Sequence, residues 1–106
     1  VGKQAGLLRI YSDEGAYVGD RKISEYIASL AREHNLAGVT VMEALVGFGH
    51  SAHVHRRQMF ESDRAVVVEL VDEEAKLRSF AAGLADVPDI GLMTFATVEI
   101  VGGKGS

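Results

Sequence analysis

Three histidines, His50, His53 and His55, fall within six positions, and Arg56 and Arg57 follow them directly. Imidazole nitrogens in this spacing suit zinc, copper or nickel. Histidine and arginine together suit a phosphate or carboxylate, through charge-assisted hydrogen bonds. Just upstream stands Gly47-Phe48-Gly49, whose two glycines let the backbone approach a ligand closely. The segment therefore offers a metal site, a phosphate-binding turn or a loop that touches a partner.

Periodicity separates these readings. On a helix His50 and His53 share a face and His55 departs from it; on a strand His53 and His55 share a face and His50 does not. Only an irregular loop gathers all three, so a metal site of His50, His53 and His55 stands as the alternative to solvated loop histidines. "GFGHSA" imitates the dinucleotide fingerprint, with Glu69 about 20 residues further on. That fingerprint needs a packed crossover helix, and "HSAHVHRRQMFESD" has no helical apolar stripe. What the residues favour is a glycine-enabled turn opening a long polar loop, and loops beyond ~12 residues in small domains usually carry function or disorder.

Catalytic signatures are sparse. The chain has no G-x-S-x-G elbow, no P-loop lysine and no cysteine nucleophile. A relay of histidine with Ser51 or Asp63 is generic for a chain of this size. A non-enzyme is expected, and a small enzyme with an intersubunit active site is the alternative.

The elements that position this loop are legible around it. "LLRIYS" from residue 7 alternates as a strand, and "DRKISEYIASLAREHN" sets Ile23, Ile27, Leu30 and Ala31 at helical spacing, with Asp20 as the expected N-cap and Asn35 as the left-handed stop. Residues 39–46 are β-branched and apolar, and "AVVVELV" at 65–71 is a second clear strand. Asp72, Glu73 and Glu74 then place negative charge at a helix start, with Leu77, Phe80, Ala81 and Leu84 as its buried stripe. "GLMTFATVEIV" closes the series as a fourth strand. The order β-α-β-β-α-β is the ferredoxin-like plan of the α+β class, an antiparallel four-stranded sheet with both helices on one face.

If Leu8 and Ile10 face the helices, the other face takes Leu7, Arg9 and Tyr11, together with Val67, Glu69 and Val71. Extending the same phase adds Val41, Glu43 and Leu45 from the second strand and Phe95, Thr97, Glu99 and Val101 from the fourth. Arg9 is then expected beside Glu69 and Glu99. An apolar face of that extent implies self-association.

Composition sets the outer limits. At 106 residues there is room for one domain: a flexible N-terminus at 1–6, a folded unit at 7–101 and a flexible tail at 102–106. With 47% hydrophobic and 25% charged residues the chain is globular rather than disordered. Fifteen acids against eleven bases, a net charge of -4, argue against nucleic acid as a partner. The absence of cysteine excludes disulfides and thiolate metal sites. With no apolar run of ~20 residues and no basic-then-apolar start, the expected location is the cytoplasm.

The stretch "GVTVMEALVGFG" at 38–49 resembles PII signal-transduction proteins, matching at Gly38, Thr40, Val41, Glu43, Gly47, Phe48 and Gly49 where their second strand enters the T-loop. From "LLRIY" through "VHRR" to "VVVELVDEEAKLRSF" the chain is similar to a PII-like family known as a domain of unknown function. The resemblance implies a homotrimer whose sheets face one another, with a T-loop-like segment at 47–63. It further implies adenine-nucleotide binding in clefts between subunits and docking of the loop on a partner, such as a membrane transporter or channel. Carried over, the ligand-binding residues are Thr40, Gly47, Phe48, Gly49 and His50, joined by Arg56 and Arg57.

Departures from the PII pattern narrow the ligand. "LADVPDIGLM" is acidic where PII proteins carry a Gly- and Lys-containing phosphate loop, and the fourth strand ends on Glu99 with Lys104 the nearest base. The tyrosines are Tyr11, Tyr17 and Tyr26, so the loop has none to be nucleotidylated. The expectation is a small anionic effector, AMP or ADP rather than ATP, with no required cofactor. A metal-binding trimer resembling the CutA proteins is the competing class.

Overall fold

Alternation in "KQAGLLRIYSD" builds the first strand, β1 (Lys3–Asp13), which starts four residues before the expected Leu7. The computed structural model describes residues 2–44 and 65–103. After β1 come two short strands, β2 (Tyr17–Val18) and β3 (Arg21–Lys22), then α1 (Ile23–Glu33) and β4 (Gly38–Glu43). β5 (Ala65–Asp72), α2 (Glu74–Leu84) and β6 (Leu92–Ile100) complete the chain. β4, β5, β1 and β6 form one antiparallel sheet in that order, so β1 and β5 are central and the other two are edges. This is the ferredoxin-like α+β plan. Lys3 pairs with Ile100 and Gly6 with Asp72, so the residues expected to be a flexible N-terminus enter the sheet from Lys3 onward.

Helical spacing in the sequence becomes the core. Ile23, Ile27 and Ala31 of α1 and Leu77, Phe80 and Leu84 of α2 pack with Leu8, Ile10, Val68 and Leu70 on one side of the sheet. Leu30 and Ala81 flank this core rather than joining its buried centre. Ile10, Ile27, Val68, Leu70, Leu77 and Leu84 are fully inaccessible. Each such side chain stabilises the fold by roughly 1.5–3 kcal/mol relative to exposure.

The helix ends differ from one another. Asn35 adopts φ 56° and the Leu36 amide donates to the Ala31 carbonyl at 3.0 Å, so α1 stops as its sequence implies. Its start does not follow the expectation. Lys22, not Asp20, holds the N-cap position and supplies no side-chain bond. Gly19-Asp20 is instead the turn of the β2–β3 hairpin, which pairs Tyr17 with Lys22 and Val18 with Arg21, and Gly19 takes φ 65° there.

Asp72 ties the far end of the sheet together. Its carboxylate accepts the amide protons of Ala37 at 2.8 Å and Glu73 at 2.7 Å, and Lys76 Nζ lies 3.4 Å away while donating to the Asn35 carbonyl at 2.8 Å. Burial opposes its ionisation, but the two backbone donors and the Lys76 ammonium outweigh burial and hold the carboxyl below the usual range. Strand β4 therefore leaves α1 anchored to the start of α2.

Strand register corrects the expected open face in part. Arg9 lies opposite Glu69 as expected, with Leu7 opposite Val71 and Tyr11 opposite Val67. On the edge strands the phase is shifted by one. Thr40 and Met42, not Val41 and Glu43, share the face of Glu69 and Val67. Thr94 and Ala96, not Phe95 and Thr97, share the face of Arg9 and Leu7. Phe95 faces the helices, with the Arg78 guanidinium 4.2 Å from its ring centre. Glu99 therefore lies away from Arg9 and accepts the Gly2 amide proton at 3.0 Å. Edge strands are wet on both faces, so apolar alternation does not fix their phase.

Candidate functional site

Antiparallel register brings the end of β1, the end of β4 and the starts of β5 and β6 to one end of the sheet. Asp13, at the end of β1, pairs with Ala65 at the start of β5; Tyr11 pairs with Leu92 at the start of β6; Glu43, at the end of β4, pairs with Val66. The Ala44 amide donates to the Ala65 carbonyl at 2.8 Å, continuing the β4–β5 ladder at the root of the segment 45–64. The loop 85–91 ends at this same edge. Gly91 fixes its closing turn at φ 92°, where an added Cβ would stand 2.0 Å from the Tyr11 carbonyl oxygen. Only glycine fits so close an approach.

Of the expected ligand-binding residues, Thr40 lies within the described part of the chain. Gly47, Phe48, Gly49, His50, Arg56 and Arg57 fall outside the described residues, as do the alternative metal ligands His53 and His55. Thr40 is exposed on β4, opposite Glu69, on the face of the sheet turned away from the helices. It is two residues from Met42, which with Val41 and Glu43 borders a cleft of about 350 Å³ at the root of the segment 45–64.

That cleft was not evident from the sequence. Glu14, Lys22, Ser24 and Glu25 form its opposite wall, where the β2–β3 hairpin meets the first turn of α1. The signal for it was Gly19-Asp20, a two-residue hairpin turn whose glycine takes a positive φ. Three carboxylates against one ammonium make the cleft on a single chain a poor anion site. Among the described residues no three His, Asp or Glu side chains converge as a metal site, and no helix is long and apolar enough to cross a membrane.

Comparison with known proteins places this geometry in a family. Fold neighbours include solved structures of CPII, a nitrogen regulatory PII-like protein from Thiomonas intermedia K12. The complex of CPII with ADP, AMP and acetate has a TM-score of 0.65 at 17% identity, covering 92% of this chain and 88% of that one. Its apo form has a TM-score of 0.63 at 16% identity, covering 92% of both chains. Likeness at this identity establishes a PII-like fold. A closer sequence relative is the UPF0166 protein of Aquifex aeolicus (strain VF5), 32% identical over 97 residues that span 90% of this chain and 91% of that one. The family model DUF190, described as "Uncharacterized ACR", matches residues 5–100, and the chain belongs to that family.

Proposed function

We propose that this protein is a PII-like regulatory trimer that binds an adenine nucleotide, AMP or ADP, between subunits and presents the segment 47–63 to a partner protein. The observation that carries this reading is that Ala44 and Ala65, which flank the segment 45–64, and the loop 85–91 meet at one end of a PII-like sheet. CPII, which shares this fold, has been solved with ADP and AMP bound, which supports the choice of ligand class. The open sheet face, with Tyr11, Met42 and Leu92 exposed, supports self-association.

Within this reading Gly47 and Gly49 free backbone donors for one phosphate, and His50, Arg56 and Arg57 add charge-assisted bonds. Thr40, exposed on the open sheet face two residues from Met42, contributes to this site from the side that a second copy covers. Asp86 and Asp89 lie on the loop 85–91 at the same end, so additional phosphates meet negative charge there. The protein acts by binding rather than by catalysis, in the cytoplasm, and a membrane transporter or channel is the partner class by analogy with PII proteins. Native mass spectrometry of the untreated purified protein tests the reading. A trimer retaining a nucleoside mono- or diphosphate is expected, and a ligand-free monomer would contradict it.

A further inference from the structure

Facing residues form rows across the open side of the sheet. Thr40 lies opposite Glu69, Glu69 opposite Arg9 and Arg9 opposite Thr94, so one polar row spans all four strands. Beside it runs the row Met42, Val67, Tyr11 and Leu92, and on the other side Leu7 lies between Val71 and Ala96. A charge pair thus stands midway between two largely apolar rows.

Within one chain that placement has little to recommend it. The Arg9 and Glu69 side chains are 42% and 26% exposed, and an ion pair so open to water adds little net stability. The chemistry of the row instead restricts what can cover it. Glu69 would repel a nucleic-acid backbone or an anionic lipid surface, and the net charge of -4 opposes both. A purely apolar partner would desolvate both charges without replacing their lost hydration. A second copy of the same face carries one guanidinium and one carboxylate, and so offers each charge its opposite. In a cyclic trimer each contact is head to tail, so the guanidinium of one copy's face can meet the carboxylate of the next all the way around the ring. Arg9 uses Nε for its own Glu69 at 2.7 Å, and a guanidinium has five N–H donors, enough to bridge two carboxylates.

We infer that the Thr40–Glu69–Arg9–Thr94 row is a register lock between copies of this chain, in which Arg9 of one copy reaches Glu69 of the next. The inference rests on the self-association proposed above and adds what specifies its geometry. Any slipped arrangement sets a charge against the flanking apolar rows and is penalised, while the aligned one is not.

Charge exchange between separate chains tests it. R9E carries two acids in the row and E69R two bases, so each alone is expected to need at least about tenfold more protein to assemble than the wild type. Mixed together, they should form assemblies containing both chains by native mass spectrometry, and the double exchange R9E/E69R should assemble with itself. Single variants that assemble as the wild type does, or a mixture that yields only separate homomers, would overturn the inference. Should circular dichroism show either single variant unfolded, R9M/E69L decides: several oligomer sizes are expected, and one species of wild-type size would contradict the lock. A wild-type chain that is monomeric at micromolar concentration would defeat the underlying self-association itself.

Discussion

Arg9 Nε and Glu69 Oε2 stand 2.7 Å apart across the two central strands, directly opposite one another in the ladder. The hydrogen bond and charge of Glu69 hold the Arg9 guanidinium still more firmly protonated than usual. The pair lies in the middle of an otherwise largely apolar sheet face, and that face is where the account can be probed first.

Val67 lies between Tyr11 and Met42 on this face and is half-buried in the single chain. Val67→Asp should leave the helix-side core intact but place a carboxylate against apolar neighbours in any assembly. Light scattering is expected to show loss of the oligomer, with the far-ultraviolet dichroism of the wild type retained. An unchanged oligomer would show that the face is not the interface.

Asp72→Asn should cost about 1–3 kcal/mol at neutral pH, because the charged acceptor of two backbone amides is lost. The folded carboxyl titrates below its unfolded value of ~3.9, so its stabilisation is complete above that pH and disappears as the pH falls through the lower folded value. Urea midpoints of wild type and variant should therefore differ at pH 7 and converge in strong acid.

Gly91→Ala introduces a Cβ 2.0 Å from the Tyr11 carbonyl at a φ of 92°. A loss of roughly 1–3 kcal/mol is expected from strain of this kind. Thermal unfolding would read it directly, and an unchanged midpoint would mean that the 85–91 loop does not close on β1 as described.

Zinc is expected to bind no more tightly than to an unstructured histidine peptide. Stoichiometric submicromolar binding, lost when His53 and His55 are replaced, would favour the CutA-like metal reading instead.

Most of the architecture was legible in the sequence, because central elements are buried on a defined side. Ile23, Ile27 and Ala31, and Leu77, Phe80 and Leu84, are buried at the helical spacing that announces them. Arg9 and Glu69 were placed together because both lie on central strands, where alternation is fixed by the core. Val41 and Phe95 were assigned to the wrong face because an edge strand pairs on one side only and its apolar residues are partly wet on both faces. The β2–β3 hairpin escaped notice because two-residue strands have no periodicity to read, and its turn glycine was the sole cue. For the candidate site, the sequence supplied residue types for the segment 47–57, but their mutual positions depend on long-range placement that periodicity does not encode.

Calorimetric titration with AMP, ADP and ATP reads nucleotide binding by the protein itself. AMP or ADP is expected to bind at least as tightly as ATP, and Gly49→Val to weaken this binding while the oligomer persists, since only backbone approach is blocked. A clear preference for ATP would contradict the single-phosphate site, and no heat from any of the three would contradict nucleotide binding altogether.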